Sequence, residues 1–462
     1  MNSNILFLTI DSLRADKFFN NLKSSFTPNI DELIKNGTYF SQAISCAPET
    51  ISSLSAIFTS IYPSSSLVSD KNLRTMNPKL KNHLQILKEN NYQIFTSHHR
   101  LTHKMKLDEI IDNVESFRYS SLTHDGLGDR IIQKLKSDMK HPWFYYIHVM
   151  DLHEAESLSI KESTLSEHSE LKHGKNVYEK LISSLDVWIG KIIQHIDFEN
   201  TVLIILADHG TERGNMDETI FSFNSNDSSS SMLSKISKKA PKFFKKTISK
   251  KYLEIKNEKK HEEKLEFLKK ISNSNLSPYQ KRLFTNSISS TANIFDDICK
   301  IPLLFVGKDI PKNLIINEQV SSLDIFPTLE ELVGIPNVLY NQGKSLLPLL
   351  KDEKFISEPI LLDCLTNSLK GNSQNTIGIR TSQYKYFRDR DDPTKNVFLF
   401  DLKKDPLEEE NIAENNSKII ENFEKNIQTL RNFSSKSYDE EIFTDEEAEE
   451  IETELRRQGY IN

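Results

Sequence analysis

The sequence predicts an α/β fold with a mostly parallel sheet between helices, followed by a smaller C-terminal α+β subdomain. Continuous apolar runs of strand length occur at residues 4–10 (NILFLTI), 143–150 (WFYYIHVM) and 201–206 (TVLIIL). Such runs are typical of strands buried on both faces of a parallel sheet. Each run leads directly into polar residues, with Asp11 after the first, Asp151 after the second and Asp208 close behind the third. Open α/β sheets place their sites at this carboxyl edge.

Other segments repeat their apolar residues at helical or strand spacing. Residues 47–60 (APETISSLSAIFTS) continue after Pro48 with Ile51, Leu54 and Ile57, which predicts a short helix with Thr50 in its first turn. Residues 178–196 predict an amphipathic helix that faces the core. The run IPLLFVG at 301–307 predicts a further buried strand. Short runs around 378–387 and 397–401 predict a small antiparallel subdomain.

Composition limits the class of protein. The 462 residues can bury a large core, and the 59 basic and 66 acidic residues give a net charge of −7, which disfavours nucleic acid as the main partner. The three cysteines, Cys46, Cys299 and Cys364, are widely spaced and argue against a disulfide framework. The apolar run near Met1 is too short for a signal peptide, and no stretch approaches the roughly 20 apolar residues that span a bilayer. We therefore expect a cytoplasmic protein.

Four separated residues form a coherent chemical set. Asp11 and Asp208 follow strands, His209 stands beside Asp208, and Thr50 lies at a helix start, where unpaired backbone N–H groups favour an anion. Two carboxylates and one imidazole can hold one divalent cation and leave coordination for the Thr50 oxygen and a substrate oxygen. Coordination lowers the pKa of a threonine hydroxyl and prepares it to attack phosphorus or sulfur. The structural alternatives are a helix cap at Thr50 and a turn at Asp11.

Four separated parts of the chain carry distinctive motifs: NILFLTIDSLRAD, APETISSLSAIFTSIYP, LADHG, and the tail GIRTSQYKYF with LFDLKKDPLEEENIAEN. Together and in this order they resemble the sulfatase-like branch of the alkaline phosphatase superfamily. The resemblance covers nearly the whole chain apart from the segment after Gly214. It implies an alkaline phosphatase-like fold and metal binding by Asp11, Asp208 and His209. It also implies a nucleophile at Thr50, because IFTSIYP matches the family's usual LLTGRYP.

The nucleophile motif departs from that of true sulfatases. Those enzymes carry Cys or Ser, converted to formylglycine, in a Cys-x-Pro-x-Arg pattern, whereas this chain has Thr50, Ser52 and Leu54. Oxidised threonine would be a ketone, so we expect no formylglycine, and Cys46 lies outside the aligned position. A threonine nucleophile instead resembles the phosphoryl-transferring relatives. Ser12 replaces a second acidic residue that often follows the first strand, and the family's usual Lys after the Asp-His pair has no counterpart.

The resemblance also implies substrate contacts. Residues 92–101 (YQIFTSHHRL) occupy the place of the family's basic substrate contacts, with His99 where sulfatases have Lys and Arg100 beside it. A solvated turn is the alternative for this segment. His153 takes the place of the histidine in the family's Asp-Pro-His motif, and we expect it to act as a general acid or substrate ligand. His148 lies inside an apolar run, and we expect a core histidine whose hydrogen bonds are satisfied.

The expected domains are a sulfatase-like catalytic domain at residues 1–358 and a C-terminal antiparallel subdomain with an acidic tail at 359–462. Residues 215–291 have the composition of a Lys/Ser-rich insertion, with a low-complexity run at 224–231. The basic stretch at 235–252 could contact a membrane surface or guide an anionic polymer; the alternative is a solvated lid or insertion. The acidic stretch at 439–454 predicts a solvated helix or tail.

These observations predict a metal-dependent hydrolase of phosphate or sulfate esters that uses Thr50 and one divalent cation. Zinc or manganese suits mixed Asp and His ligands better than calcium, and calcium or magnesium remain alternatives. The expected substrate is an anionic ester, free or linked to a glycan or lipid. Two other functions stay open: a phosphotransferase that moves a phosphoryl-linked head group to a glycan or lipid, and a non-catalytic anion-binding protein of the same fold.

Overall fold

The chain contains two compact units. The computed structural model describes residues 3–19, 23–70, 73–99, 105, 107, 110–117, 120–137, 139–153, 173–212, 265–289, 293–336, 342–365, 376–431 and 444–457. One unit consists of Met1–Gly214 and Thr291–Asn462, and the other of Asn215–Ser290. The first unit therefore unites the N-terminal and C-terminal parts of the sequence around the interrupting segment.

A mixed sheet lies at the centre of the first unit. Its strands, together with the separate hairpin of β3 and β4, are β1 (Asn4–Ile10), β2 (Gly37–Ile44), β3 (Leu67–Asp70), β4 (Leu73–Met76), β5 (Gln93–His99), β6 (Asn113–Phe117), β7 (Trp143–Val149), β8 (Thr201–Leu206), β9 (Lys300–Ile301), β10 (Leu303–Gly307) and β11 (Leu314–Ser321). Within the described residues the strand order is β11-β2-β10-β8-β1-β7-β5-β6, and β9 pairs with β2.

The sheet is mostly parallel, as the sequence predicts. Strands β8, β1, β7, β5 and β6 run parallel, as do β11 and β2, whereas β10 is antiparallel to both of its neighbours. The apolar runs at 4–10 and 201–206 form strands with the predicted bounds, and all their residues are buried. The predicted α/β class is confirmed. Because the central strands are parallel, the residues that follow β1, β7 and β8 meet at one edge.

Helices are described in both units. The first unit contains α1 (Ala15–Phe18), α2 (Pro28–Lys35), α3 (Thr50–Thr59), α4 (Pro63–Ser66), α5 (His83–Glu89), α6 (Leu127–Leu135), α7 (Val177–Ile193), α9 (Asp296–Cys299), α10 (Ile325–Leu332), α11 (Leu347–Leu350), α12 (Ser417–Arg431) and α13 (Asp445–Arg457), and the second unit contains α8 (Pro278–Ser289). Short 3-10 helices span Ser322–Asp324 and Ala413–Asn415. An aromatic cluster joins α3 and α10 to the sheet: the Phe326 ring lies 5.4 Å from Phe7 and 5.5 Å from Phe58.

A four-stranded antiparallel sheet forms the C-terminal subdomain. Its strands are β12 (Ile360–Cys364), β13 (Thr376–Arg380), β14 (Tyr384–Asp389) and β15 (Phe398–Asp401), in chain order. This sheet confirms the predicted antiparallel subdomain. A buried ionic network fixes it to the rest of the unit, because Asp296 on α9 pairs with Arg380 at 2.7 Å and with the fully buried Lys385 at 2.8 Å. Helix α13 lies in the acidic stretch of the sequence.

The second unit has a small apolar cluster of its own, formed by Phe267, Ile271 and Phe284. The basic stretch at 235–252, which we singled out as a membrane or polymer contact, lies outside the described residues. Among the helices that the structure describes, none is both long and apolar enough to span a membrane. The cytoplasmic location stays a prediction.

Helix α3 ends at a buried chain of hydrogen bonds. Ser60 has left-handed backbone (φ 52°), and its Oγ lies 2.7 Å from the Leu323 carbonyl oxygen and 2.8 Å from His83 Nε2. Because a carbonyl can only accept, Ser60 donates to Leu323 and accepts from His83 Nε2–H. His83 Nδ1 lies 2.7 Å from Glu330 Oε1, and both side chains are fully buried. This series of hydrogen bonds therefore ties the end of α3 to α5 and α10. The Ser60 hydroxyl proton points away from His83.

We expect His83→Leu to lower the free energy of unfolding by about 3 kcal/mol or more, because it leaves the buried Glu330 carboxyl without its partner. Lys81→Gln is the matched control, since the Lys81–Glu89 pair is exposed, and such pairs contribute about 0–1 kcal/mol. Urea denaturation measures both variants. Similar losses of unfolding free energy in the two variants would contradict a stabilising role for the buried hydrogen bonds of Ser60, His83 and Glu330.

Candidate active site

Polar side chains from four parts of the chain converge at the carboxyl edge of the main sheet. Asp11 follows β1, Asp208 and His209 follow β8, Thr50 is the first residue of α3, and β7 contributes one histidine near its end and a second just beyond it. The converging residues are Asp11, Thr50, His148, His153, Asp208 and His209. All six are buried. The parallel order β8-β1-β7 explains why residues nearly 200 positions apart meet here.

Thr50 occupies the position that a nucleophile at a helix start requires. The N-cap of α3 is Glu49, so Thr50 is the first helical residue and its hydroxyl does not cap the helix. Its Oγ1 donates to Asp11 Oδ2 at 3.0 Å and lies 3.3 Å from His209 Nε2. The hydroxyl therefore has the Asp11 carboxylate as its hydrogen-bond acceptor and the His209 ring within reach, and it stands at the positive end of a ten-residue helix.

Two fully buried carboxylates, those of Asp11 and Asp208, lie at the centre of the site. Burial raises the pKa of Asp208, and the negative charge of Asp11 raises it further. Burial alone would also raise the pKa of Asp11, but the charge of His153 and the neighbouring imidazoles of His148 and His209 hold it well below its usual value. Two carboxylates buried side by side repel each other, so this centre favours a cation.

His148 belongs to this centre, which corrects the expectation of a fully satisfied core histidine. Its Nδ1 lies 2.8 Å from the Tyr146 hydroxyl, as a core histidine would be held. Its Nε2 lies 3.4 Å from Asp11 Oδ2 and, like Asp208 Oδ2, is buried without a hydrogen-bond partner among the described residues. Ligand atoms of Asp11, His148 and Asp208 all lie within 4.8 Å of one another. These residues fit a divalent cation, because it would satisfy both orphaned atoms.

His209 is held in one tautomer. Its Nδ1 lies 2.8 Å from the Gly210 carbonyl oxygen, which can only accept, so Nδ1 carries a proton and Nε2 faces Thr50 and Asp208 Oδ2 (3.6 Å). Burial alone would lower the pKa of His209, but the carboxylates of Asp208 and Asp11 raise it to about 9. In the metal-free protein the ring is thus an imidazolium at neutral pH. Loss of that proton leaves Nε2 with a lone pair for a cation or for the Thr50 proton.

The predicted substrate-binding residues have different positions. His153 Nδ1 lies 3.4 Å from Asp11 Oδ1, which places the ring at the edge of the carboxylate centre. His99 is the last residue of β5, which is separated from β1 by β7, so the parallel register brings it to the same edge of the sheet. The hydrogen bonds described for the centre do not include His99. Arg100 lies outside the described residues.

Arg14 fixes the two loops that carry the carboxylates. This buried guanidinium donates to the Thr211 carbonyl oxygen at 2.8 Å and pairs with Asp297 at 2.7 Å, so it joins the loops after β1 and β8 to α9. Gly210 makes a second link, with its N–H donating to the Ile298 carbonyl oxygen at 2.7 Å. A Cβ at Gly210 would lie 2.2 Å from the Asp297 carbonyl oxygen, so only glycine allows this close approach.

Sequence reasoning did not assign His148 and Arg14 to the site. A weak signal existed for His148, because it is the only histidine in the apolar run at 143–150 and stands next to the strand end. Arg14 carries no such signal, since an arginine in a loop after a strand is ordinarily exposed. Its role depends on α9, which lies almost 300 residues further along the chain.

The comparisons with known proteins identify the family. The family model Sulfatase matches residues 3–335, which is well over half of the chain, and the model for the C-terminal part of N-sulphoglucosamine sulphohydrolase matches residues 291–433. The chain belongs to the sulfatase family of ester hydrolases, as the motifs imply. Members of this family bind a divalent metal ion, and the cluster of Asp11, His148 and Asp208 is a candidate site for it.

Individual relatives are more distant. Arylsulfatase K of Bos taurus is 30% identical over 152 residues, which cover 30% of this chain and 27% of that protein. The phosphonate monoester hydrolase of Agrobacterium radiobacter superposes with a TM-score of 0.62 at 14% identity, covering 93% of this chain and 95% of that chain. A protein solved in complex with its substrate D-glucosamine-2-N,6-O-disulfate superposes with a TM-score of 0.62 at 12% identity, covering 94% and 98%. The match to the arylsulfatase spans about a quarter of its length, and the superpositions establish the fold alone.

We expect His148→Gln to weaken binding of Zn²⁺ or Mn²⁺ by at least the 10- to 100-fold that loss of an outer-shell partner causes, because it removes an imidazole donor from the centre. Calorimetry on metal-stripped protein measures the affinity. His141→Gln is the matched control, since His141 contacts Asn4 at the opposite end of β1 and should leave the affinity unchanged. Unchanged affinity in His148→Gln would remove His148 from the metal centre.

Proposed function

We propose that this chain is a metal-dependent hydrolase of phosphate or sulfate esters with Thr50 as its nucleophile. The observation that carries the proposal is the position of the Thr50 hydroxyl, 3.0 Å from Asp11 and 3.3 Å from His209 at the first residue of α3. This places a hydroxyl, its proton acceptors and the helix N–H groups around one point. The family membership supports ester hydrolysis in general.

Asp11, His148 and Asp208 would hold the cation, with His209 and Thr50 beside it. A bound divalent cation lowers the pKa of a nearby hydroxyl and neutralises charge on the transferred group. The mixture of carboxylates and imidazoles favours zinc or manganese over calcium, with magnesium as a further alternative. The preference for zinc or manganese is therefore part of what we propose.

Residues of this chain carry out the individual steps of the reaction. Thr50 Oγ1 forms the bond to phosphorus or sulfur as the bond to the ester oxygen breaks, and its proton passes to Asp11, or to His209 once that ring has lost its Nε2 proton. His153 gives a proton to the leaving oxygen, a role supported by its position at the edge of the centre, 3.4 Å from Asp11. The N–H groups at the start of α3 hold the anionic oxygens. Water then attacks the phosphorus or sulfur of the Thr50 ester and gives a proton to His153, while the phosphate or sulfate group leaves and Thr50 Oγ1 takes its proton back.

The residues around Thr50 favour phosphoryl chemistry over formylglycine chemistry. Cys46, the nearest thiol in sequence, is fully buried, and its Sγ lies 3.2 Å from Ser321 Oγ. Burial raises the pKa of this thiol to about 12, so it is an inert core cysteine. Thr50 itself cannot yield an aldehyde. The expected substrate is therefore an anionic ester cleaved by direct attack of threonine, whether free or linked to a glycan or lipid.

We expect Thr50→Ala to lose about 10⁴-fold or more in kcat, because the covalent route is removed, while Thr50→Ser keeps a hydroxyl and retains measurable turnover. The assay uses metal-loaded protein with aryl phosphate monoester, phosphodiester and sulfate substrates. The class that the wild type turns over names the chemistry. Activity that survives in Thr50→Ala would reject the threonine nucleophile. A product that forms only with an added alcohol or glycan acceptor would indicate a phosphotransferase instead.

A further inference from the structure

Tyr146 lies between the aromatic core and the carboxylate centre. It is on β7, two residues before His148, so the two side chains are on the same face of the sheet. The Tyr146 ring centroid lies 6.0 Å from that of Phe7 on β1, and the Phe58 ring of α3 meets it edge-on at 5.2 Å. These aromatic contacts fix the tyrosine ring, which is buried. Its hydroxyl therefore has a set position beside the histidine.

The Tyr146 hydroxyl holds the His148 ring by Nδ1. Tyr146 Oη lies 2.8 Å from His148 Nδ1, and His148 Nε2 lies 3.4 Å from Asp11 Oδ2. Because the imidazole ring is rigid, a partner on one nitrogen fixes where the other nitrogen points. A histidine that binds a metal ion almost always has a hydrogen-bond partner on its second nitrogen, and that partner orients the ring. Tyr146 has the position of such a partner.

The partner of Nδ1 differs between His148 and His209. His209 Nδ1 lies 2.8 Å from the Gly210 carbonyl oxygen, which can only accept, so this nitrogen must carry a proton. A tyrosine hydroxyl can donate or accept, so His148 can carry its proton on either nitrogen. With the proton on Nε2, the ring presents an N–H to Asp11. With the proton on Nδ1, the ring donates to Tyr146 and presents the Nε2 lone pair, the form that can bind a cation.

A second hydroxyl, that of Thr9, is available to Tyr146. Thr9 is the register partner of His148 on β1, and it is fully buried. Burial and the negative charge of Asp208 raise the pKa of the Tyr146 phenol, whereas the nearby Thr9 hydroxyl lowers it. Thr9 Oγ1 has no hydrogen-bond partner within the described residues. It can therefore accept from Tyr146 while Tyr146 accepts from His148.

We propose that Tyr146 is a positioning residue of the metal centre. Its hydroxyl holds His148 by Nδ1 and accepts the Nδ1 proton, so that Nε2 serves as a ligand beside Asp11 and Asp208. The proposal rests on the metal dependence within the proposed function. It adds a residue that acts on the cation only through His148.

The test compares two tyrosines that are neighbours on β7. Tyr146→Phe keeps the ring and removes only the hydroxyl, and we expect it to weaken binding of Zn²⁺ or Mn²⁺ by about 10- to 100-fold, as for loss of an outer-shell partner. Calorimetry on the metal-stripped full chain measures the affinity. Tyr145→Phe is the matched control, because Tyr145 is equally buried on the opposite face and its Oη lies 2.8 Å from Ser97 Oγ. It loses a comparable buried hydrogen bond and should leave the affinity unchanged.

A double-mutant cycle separates positioning from a general loss of stability. In a His148→Gln background, Tyr146→Phe should cause no further loss of affinity, because the hydroxyl acts through the imidazole. The same loss in both backgrounds, or an equal loss in Tyr145→Phe, would overturn the positioning role.

NMR of zinc-loaded protein labelled at its histidine ring nitrogens gives a direct readout. The His148 signals are identified by their absence in His148→Gln, and we expect the ring proton on Nδ1. A proton on Nε2 would overturn the proposal. A wild type that binds neither cation would overturn the metal centre and the proposed function with it, whereas equal binding by wild type and Tyr146→Phe would overturn the role of Tyr146 alone.

Discussion

The meeting of two fully buried carboxylates, Asp11 and Asp208, is the constraint on which the rest of the site depends. Parallel strands β1 and β8 lie side by side, so the residues that directly follow the two strands lie close together. Two buried carboxylates that lie close together destabilise a fold unless a positively charged group lies between or beside them. Three imidazoles and the start of α3 surround the pair, and they offset part of this repulsion.

Ser12 stands where the family often has a second acidic residue after the first strand. Its Oγ donates to Asp11 Oδ1 at 2.7 Å, and its left-handed backbone (φ 61°) turns the N–H toward Asp208 Oδ1 at 3.4 Å. Ser12 therefore links the two carboxylates instead of adding a third. His148 approaches the same Asp11 carboxylate from β7, with its Nε2 3.4 Å from Oδ2.

The sequence predicted the parts of this site that local pattern controls. Continuous apolar runs located β1 and β8, and their ends located Asp11, Asp208 and His209; helical spacing after Pro48 located Thr50 in the first turn of α3. The contribution of His148 could not be predicted, because the sequence around a histidine in a buried strand is the same whether or not its second ring nitrogen has a hydrogen-bond partner. That difference depends on which strand lies next to β7.

Long-range contacts explain the other omissions. Arg14 acts through α9, and the Ser52–Leu365 hydrogen bond joins α3 to the segment that follows β12. None of these pairings leaves a periodicity or a spacing in the sequence. The antiparallel subdomain itself was predictable from its short strands, whereas the surface that it presents to the nucleophile depends on tertiary packing.

The most direct test of the account is anomalous diffraction from crystals of the full chain soaked in zinc and recorded at the zinc absorption edge. The account predicts a strong peak enclosed by Asp11, His148 and Asp208, with Thr50 beside it. A peak bound only at other residues, or no peak while the carboxylates and imidazoles contact one another directly, would contradict a metal centre here and with it the proposed chemistry.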